Sequence, residues 1–183
     1  MKLHPLRTNG AFLLEPVMHR DGRGFFYEVW QESLIHRLGG PDCRIAQVNR
    51  SHSTRGVLRG LHYQVGACAQ AKLMTVLSGS IYDVVVDLRA SSPTFGQWES
   101  CVLQGDQMQQ LWIPAGCAHG FFVLSDTADC EYACTNVYDP HAERTIIWND
   151  PKLSIHWPLK AGESPILSSR DRTGVLFADA DRF

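Results

Sequence analysis

The chain has 183 residues, 44% apolar and 20% charged, with 17 Lys and Arg against 19 Asp and Glu for a formal net charge of −2. That composition suits one globular domain over residues 1–183, long enough to bury a core without staples, and it excludes a disordered chain. No run of Lys or Arg marks a duplex-binding surface, so no nucleic-acid partner is expected, although basic residues could still gather in a cleft around one small anion.

Ala11–Leu14 reads as a short strand ending at Pro16, and aromatic-rich Gly24–Trp30 as a second, with Asp21-Gly22-Arg23-Gly24 as the tight turn between them. Gln31–Leu38 is the best helix candidate: Leu34, Ile35 and Leu38 share a face, and Gly39-Gly40 stops it. From about residue 45 the chain is strands and turns: Lys72–Leu77, Ile81–Leu88, Trp98–Leu103, Gln109–Ile113, Gly120–Leu124, Asp129–Thr135 and Thr145–Trp148. Within Ile81–Leu88, Tyr82, Val84, Val86 and Leu88 form one face, and Ile81, Asp83, Val85 and Asp87 the other. The second face either lines a cavity or lies along a solvated edge. Strands at this spacing with almost no helix between them predict a sandwich or closed barrel rather than a βαβ fold. The tail after Trp157 is looser, and Ser168–Thr173 is polar and charged.

The six cysteines have no framework spacing; Cys130 and Cys134 are a weak zinc hint with no second pair to follow, so buried free thiols are expected. No signal-peptide core and no membrane-length apolar run is present, which predicts a soluble, cytoplasmic protein with no membrane partner.

The chemistry is concentrated in Gly56-Val-Leu-Arg-Gly-Leu-His-Tyr-Gln64, where a cation, Arg59, stands three residues before a base, His62. Simple strand alternation points Arg59, Leu61 and Tyr63 one way and Gly60, His62 and Gln64 the other, while Gly60 lets something approach the backbone. Pro114-Ala-Gly-Cys-Ala-His119 resembles the second half of the cupin barrel signature, whose histidine is a metal ligand. The first half has lost its ligands: Gln64 stands where a second histidine belongs, and Lys72 where a glutamate belongs. An ammonium group has no lone pair for a metal and repels one, so no metal is expected. The resemblance implies a cupin or jelly-roll β-barrel, all-β with short peripheral helices, that gathers Arg59, His62, Lys72, Asp83, His119 and Tyr132 in one cavity. A base, a fixed cation and a phenol together suit proton transfer at a carbon next to a carbonyl.

Six motifs together narrow the resemblance: Arg23-Gly-Phe-Phe, the 56–64 stretch, Ser91-Ser-Pro-Thr-Phe-Gly96, Leu111-Trp-Ile-Pro-Ala-Gly116, Ala118-His-Gly-Phe121 and Trp148-Asn-Asp-Pro151. The chain resembles the dTDP-4-dehydrorhamnose 3,5-epimerases from about Pro16 to Asp181. That resemblance implies a metal-free isomerase, without cofactor, that inverts carbons 3 and 5 of a dTDP-linked 4-keto-6-deoxysugar. It implies His62 as base, Asp171 orienting it, Lys72 stabilising the enolate oxygen and Tyr132 returning a proton on the opposite face. It further implies that Arg59 binds the diphosphate, that His119 lies in the substrate site and that Tyr138 packs on the substrate. Arg23, Phe26, Glu28, Gln47 and Asn49 match positions that hold the deoxythymidine, with the Arg23 segment coming from the second subunit of a homodimer. Val48, Arg50, Ala71, Cys117 and Phe122 depart from the family pattern, the first two close to the expected substrate site. Such departures leave room for a single-centre epimerase of a related sugar.

Overall fold

A computed structural model describes residues 1–160 and 162–183. A six-stranded antiparallel sheet takes β1 (Lys2–Pro5), β2 (Phe12–Glu15), β10 (Gln110–Ile113), β7 (Lys72–Ser78), β12 (Thr127–Cys134) and β5 (Gln47–Thr54) in that order. A five-stranded sheet takes β13 (Glu143–Thr145), β6 (Leu58–Gln64), β11 (Cys117–Val123), β8 (Ser80–Asp87) and β9 (Trp98–Gln104). The two face each other as a jelly-roll barrel, and a separate hairpin, β3 (His19–Asp21) with β4 (Gly24–Phe26), stands outside it.

Three apolar layers follow from strand alternation. The barrel interior is filled by Met74, Val76, Ile81, Val85, Leu111 and Phe121. The outer face of the six-stranded sheet (Leu14, Leu73, Trp112, Ala133) is covered by Leu34 and Ile35 of α1 (Glu32–Gly39). Each of those two side chains contributes roughly 1.5–3 kcal/mol by leaving water. The helix ends at Gly40, whose φ of 97° only glycine adopts without strain. The outer face of the five-stranded sheet is covered by the C-terminal segment, which brings Ile146, Leu153, Trp157 and Phe177 against Leu58, Val84 and Phe122. Asp150, of the Trp148–Pro151 motif, ties that segment down: its carboxylate accepts from the backbone N–H of Lys152, Leu153 and Phe177 at 2.8–2.9 Å.

The strand expectations hold to within a few residues, with three corrections. The second expected strand stops at Phe26, because Tyr27–Trp30 finds no neighbouring strand to pair with. Residues 143–145, not 145–148, form the ladder beside β6. The polar Ser168–Thr173 stretch contains a short helix, α2 (Ser169–Arg172), capped by the Ser168 side chain. The open question about β8 is decided for the interior: Asp83 and Asp87 are both 0% exposed.

Asp87 explains the Ser91–Gly96 motif. Its carboxylate accepts from Arg89 Nη2 (2.8 Å), Ser92 Oγ (2.5 Å) and Thr94 Oγ1 (2.6 Å), closing the loop onto the strand end. Burial alone would raise this carboxyl, but those bonds outweigh it and leave the pKa at about 2, against a usual 3.8. A depressed folded pKa stabilises the fold above the usual value, and that contribution, about 2 kcal/mol, is lost as pH falls toward the folded pKa. Asp87→Asn should therefore cost more stability in urea melts at pH 7 than at pH 2.5, and an equal penalty at both would contradict this account.

Gly60 marks a tight backbone contact between β6 and β11. At φ 129°, a Cβ there would lie 2.5 Å from Gly120 Cα and 2.8 Å from the His119 carbonyl oxygen. Gly60→Ala should lower stability by roughly 2–4 kcal/mol, read as a shift of the urea midpoint. A change under about 0.5 kcal/mol would show that the strands can separate there.

Candidate active site

The expected alternation along β6 is broken by one residue. His62 pairs with His119 of β11, but Arg59, not Gly60, pairs with Phe121, so β6 carries a bulge at Gly60-Leu61. His119 and Phe121 share a face, hence Arg59 and His62 share it too, and both turn toward the interior. Leu61 and Tyr63 turn outward into the layer under the C-terminal segment. The prediction that Arg59 and His62 face opposite ways fails because register across a sheet is not written in one strand.

His62 lines a cleft, partly open to solvent, together with Asn49, Gln64, Lys72, Tyr132, Cys134, Tyr138 and Glu143. Its Nε2 lies 2.5 Å from Oδ1 of Asp171, a carboxylate 2% exposed and 109 residues away in sequence. Ser168 Oγ donates to the other oxygen at 2.7 Å. Burial works against the Asp171 charge, but the bonds from His62, Ser168 and the Gly60 backbone prevail and hold its carboxyl below the usual range. The imidazole therefore has an anionic partner throughout the neutral range.

Lys72 opens β7, beside Cys134 of β12. Burial in the cleft wall pushes its ammonium below the usual lysine range, against the pull of Cys134, Glu143 and Asp83. On the same wall, two residues before Cys134 along β12 and facing the sheet that carries His62, the Tyr132 phenol is hydrogen-bonded to Ser51. Burial raises its pKa, only partly offset by Ser51, so the phenol stays protonated at neutrality.

The inner face of β5 supports this wall. In register with Cys134 and Tyr132 of β12, Gln47 and Asn49 turn inward. Gln47 Oε1 accepts from the Tyr138 backbone at 2.8 Å, and its Nε2 donates to Asn49 Oδ1 at 2.7 Å. Val48 and Arg50 pair with Ala133 and Glu131 on the outer face, so these departures point away from the cleft rather than toward it. Ala71, Cys117 and Phe122 are buried in three different apolar layers.

Two expected residues sit differently. Arg59 donates through Nε to Ser53 Oγ at 3.0 Å. His119 is only 4% exposed, and its Nε2 lies 2.8 Å from Asp83 Oδ1, beneath the cleft rather than in its lining. Arg23, Phe26 and Glu28 do not join the cleft of their own chain: Phe26 is 70% exposed, and Arg23 pairs with its neighbour Asp21.

Sequence reasoning missed Glu143 and Arg170. Glu143 accepts from the Tyr138 hydroxyl at 2.8 Å and pairs with Arg170, which precedes Asp171 on α2. The signal for α2 was present: Ser168-x-x-Asp171 is a helix-start pattern. Gln64, at the lost ligand position, spends its amide on backbone. It donates to the carbonyls of Cys68 (2.7 Å) and Val137 (3.1 Å) and accepts from Asp139 N–H at 2.8 Å. Among the described residues no group of three His, Cys, Asp or Glu side chains could hold a metal ion, and no helix is long and apolar enough to cross a membrane.

The sequence model described as dTDP-4-dehydrorhamnose 3,5-epimerase matches residues 5–179. The enzyme of that name from Pseudomonas aeruginosa is 48% identical over 183 residues, covering 100% of this chain and 99% of the relative. The dTDP-6-deoxy-D-glucose-3,5-epimerase of Legionella pneumophila, solved with dTDP-4-keto-L-rhamnose, superposes with a TM-score of 0.90 at 45% identity, over 98% of this chain and 94% of that one. A 3'-monoepimerase from Streptomyces bikiniensis, solved with dTDP-quinovose, reaches 0.87 at 38% identity, over 96% and 87%. With the barrel, the cleft and these relatives in agreement over nearly its whole length, the chain belongs to the dTDP-4-dehydrorhamnose 3,5-epimerase family.

Proposed function

We propose that this chain inverts carbons 3 and 5 of dTDP-4-dehydro-6-deoxyglucose to give dTDP-4-dehydro-L-rhamnose, with all proton transfers made by its own side chains. The observation that carries the reading is a histidine backed by a buried carboxylate, sharing one cleft with a lysine and a neutral tyrosine. His62 removes the proton next to the 4-keto group, and Asp171 holds the imidazole and stabilises the imidazolium. Lys72 stabilises the negative charge that moves onto the ketone oxygen. Tyr132 then protonates the carbon from the opposite face, which inverts it.

Arg59 takes the diphosphate, while Gln47, Asn49 and Tyr138 hold the nucleotide end and His119 supports the site from below. Arg23, Phe26 and Glu28 complete the deoxythymidine site of a second copy in a homodimer. The support for this is that the hairpin carrying Arg23 and Phe26, with Glu28 two residues beyond it, forms a sheet separate from the barrel with Phe26 exposed. The six cysteines are free thiols, which fits work in the cytoplasm. The similarity to a monoepimerase keeps a single-centre reaction as the second reading.

Turnover in heavy water separates the two: deuterium should enter at both carbons 3 and 5, and label at one carbon alone would establish the second reading. His62→Asn should abolish both exchange and turnover in a coupled reductase assay. Asp171→Asn should lower kcat by roughly 10²–10⁴-fold with the fold intact by circular dichroism. Unchanged turnover in either variant would overturn the assignment of this pair.

A further inference from the structure

Ser51 lies in the middle of β5, opposite Cys130 of β12, with its side chain on the inner face that also carries Gln47, Asn49 and Ser53. Its hydroxyl is bonded to the Tyr132 phenol, the one hydrogen bond that phenol makes among the described residues. On its inner side the Tyr132 ring packs against the apolar barrel core, with Phe121 at 6.4 Å between centroids. Neither Gln47 nor Asn49 reaches the phenol: the two bond to each other, to the Tyr138 backbone and to Cys134 Sγ.

We propose that Ser51 is a positioning residue for the return of the proton: its hydroxyl fixes the Tyr132 phenol in the cleft before transfer and donates to the phenolate after it. This rests on the assignment of Tyr132 as proton donor made above. In that step the Tyr132 O–H bond breaks, the electron pair of the enolate forms the new C–H bond and the 4-keto group is restored. The negative charge passes from the sugar to the tyrosine oxygen, while the abstracted proton stays on His62 as imidazolium until solvent resets both groups. A phenolate in a barrel wall lined by Phe121, Met74 and Cys130 has little water to solvate it. A serine hydroxyl accepts from a phenol and donates to a phenolate by rotating about one bond, which a fixed donor or a fixed acceptor cannot do. Burial raises the Tyr132 pKa, while the Ser51 bond and the Arg59 charge pull it back, the direction expected of groups that stabilise the phenolate.

The role predicts a split between exchange and inversion. If the donor is displaced, His62 still removes the proton and returns deuterium from the same side, so label washes in without a change of configuration. In heavy water, Ser51→Ala should retain wash-in within about twofold while product formation falls roughly 10- to 100-fold, the range for loss of a hydrogen bond to a charged group. Ser51→Thr, which keeps the hydroxyl, should restore the wild-type ratio. Tyr132→Phe should show the same split more strongly. Parallel loss of exchange and inversion in Ser51→Ala, or no loss of either, overturns the proposal. If Tyr132→Phe splits the two rates and Ser51→Ala does not, the Ser51 role alone fails. If Tyr132→Phe leaves the ratio unchanged, the donor assignment fails and this role with it.

Discussion

One extra residue in β6 decides what the cleft contains. In a regular ladder, residues three apart face opposite sides of the sheet, and a cation at Arg59 could not share a cavity with a base at His62. The bulge at Gly60-Leu61 turns both inward. It is possible only because the backbones of β6 and β11 nearly touch there, glycine against glycine: from Gly120, a Cβ would meet the Arg59 carbonyl oxygen at 2.8 Å. The two glycines therefore act on chemistry through register, although neither has a side chain to offer. The same bulge brings the Gly60 backbone to the Asp171 carboxylate, so the partner of His62 is seated by the irregularity that aims His62.

Much of the fold was legible because it is local. The apolar runs in Lys72–Leu77 and Ile81–Leu88, bounded by turn residues, are a property of each segment, and α1 announces itself through Leu34 and Ile35 before two glycines. The bulge was not legible, since it exists only as a mismatch between β6 and a strand about sixty residues later. Nor was the reach from Asp171 to His62, which the chain gives no local reason to expect. The helix that carries Asp171 has four residues, too short to develop an amphipathic period, and its one local mark is the Ser168 cap. Val48 and Arg50 show the converse error. Adjacent in sequence to residues of the site, they face outward, because neighbours on a strand are on opposite faces.

The charges are arranged with the same economy. A net charge of −2 conceals a cleft lined by Lys72 and His62, with the Arg59 charge acting on Tyr132 and Arg170 paired to Glu143 of its wall. The acids in and beneath it have specific partners: buried Asp171 with His62, buried Asp83 with His119, and half-buried Glu143 with Arg170 and Tyr138. Removing one partner of such a pair would leave an uncompensated charge out of water. Lys72 is the exception. Its ammonium has no hydrogen-bond or ion-pair partner among the described residues, and desolvation already disfavours its charge. A cation held without a partner in a cleft is poised for negative charge that arrives with the substrate.

The lost cupin ligands complete the physical logic. A metal at this position would polarise a ketone by concentrating positive charge beside its oxygen. Lys72, on the strand where the family of folds keeps a ligating glutamate, places a positive charge on a flexible stem instead. Gln64, at the lost histidine, is no idle replacement: its amide joins the turn at Cys68 to the segment at Val137 and Asp139, and thereby fixes the loop that carries Tyr138. One of the two positions carries a lysine at the start of β7, and the other an amide that braces the loop carrying Tyr138. Neither side chain has a lone pair to spend on a metal: the ammonium has none, and the amide is committed to backbone groups.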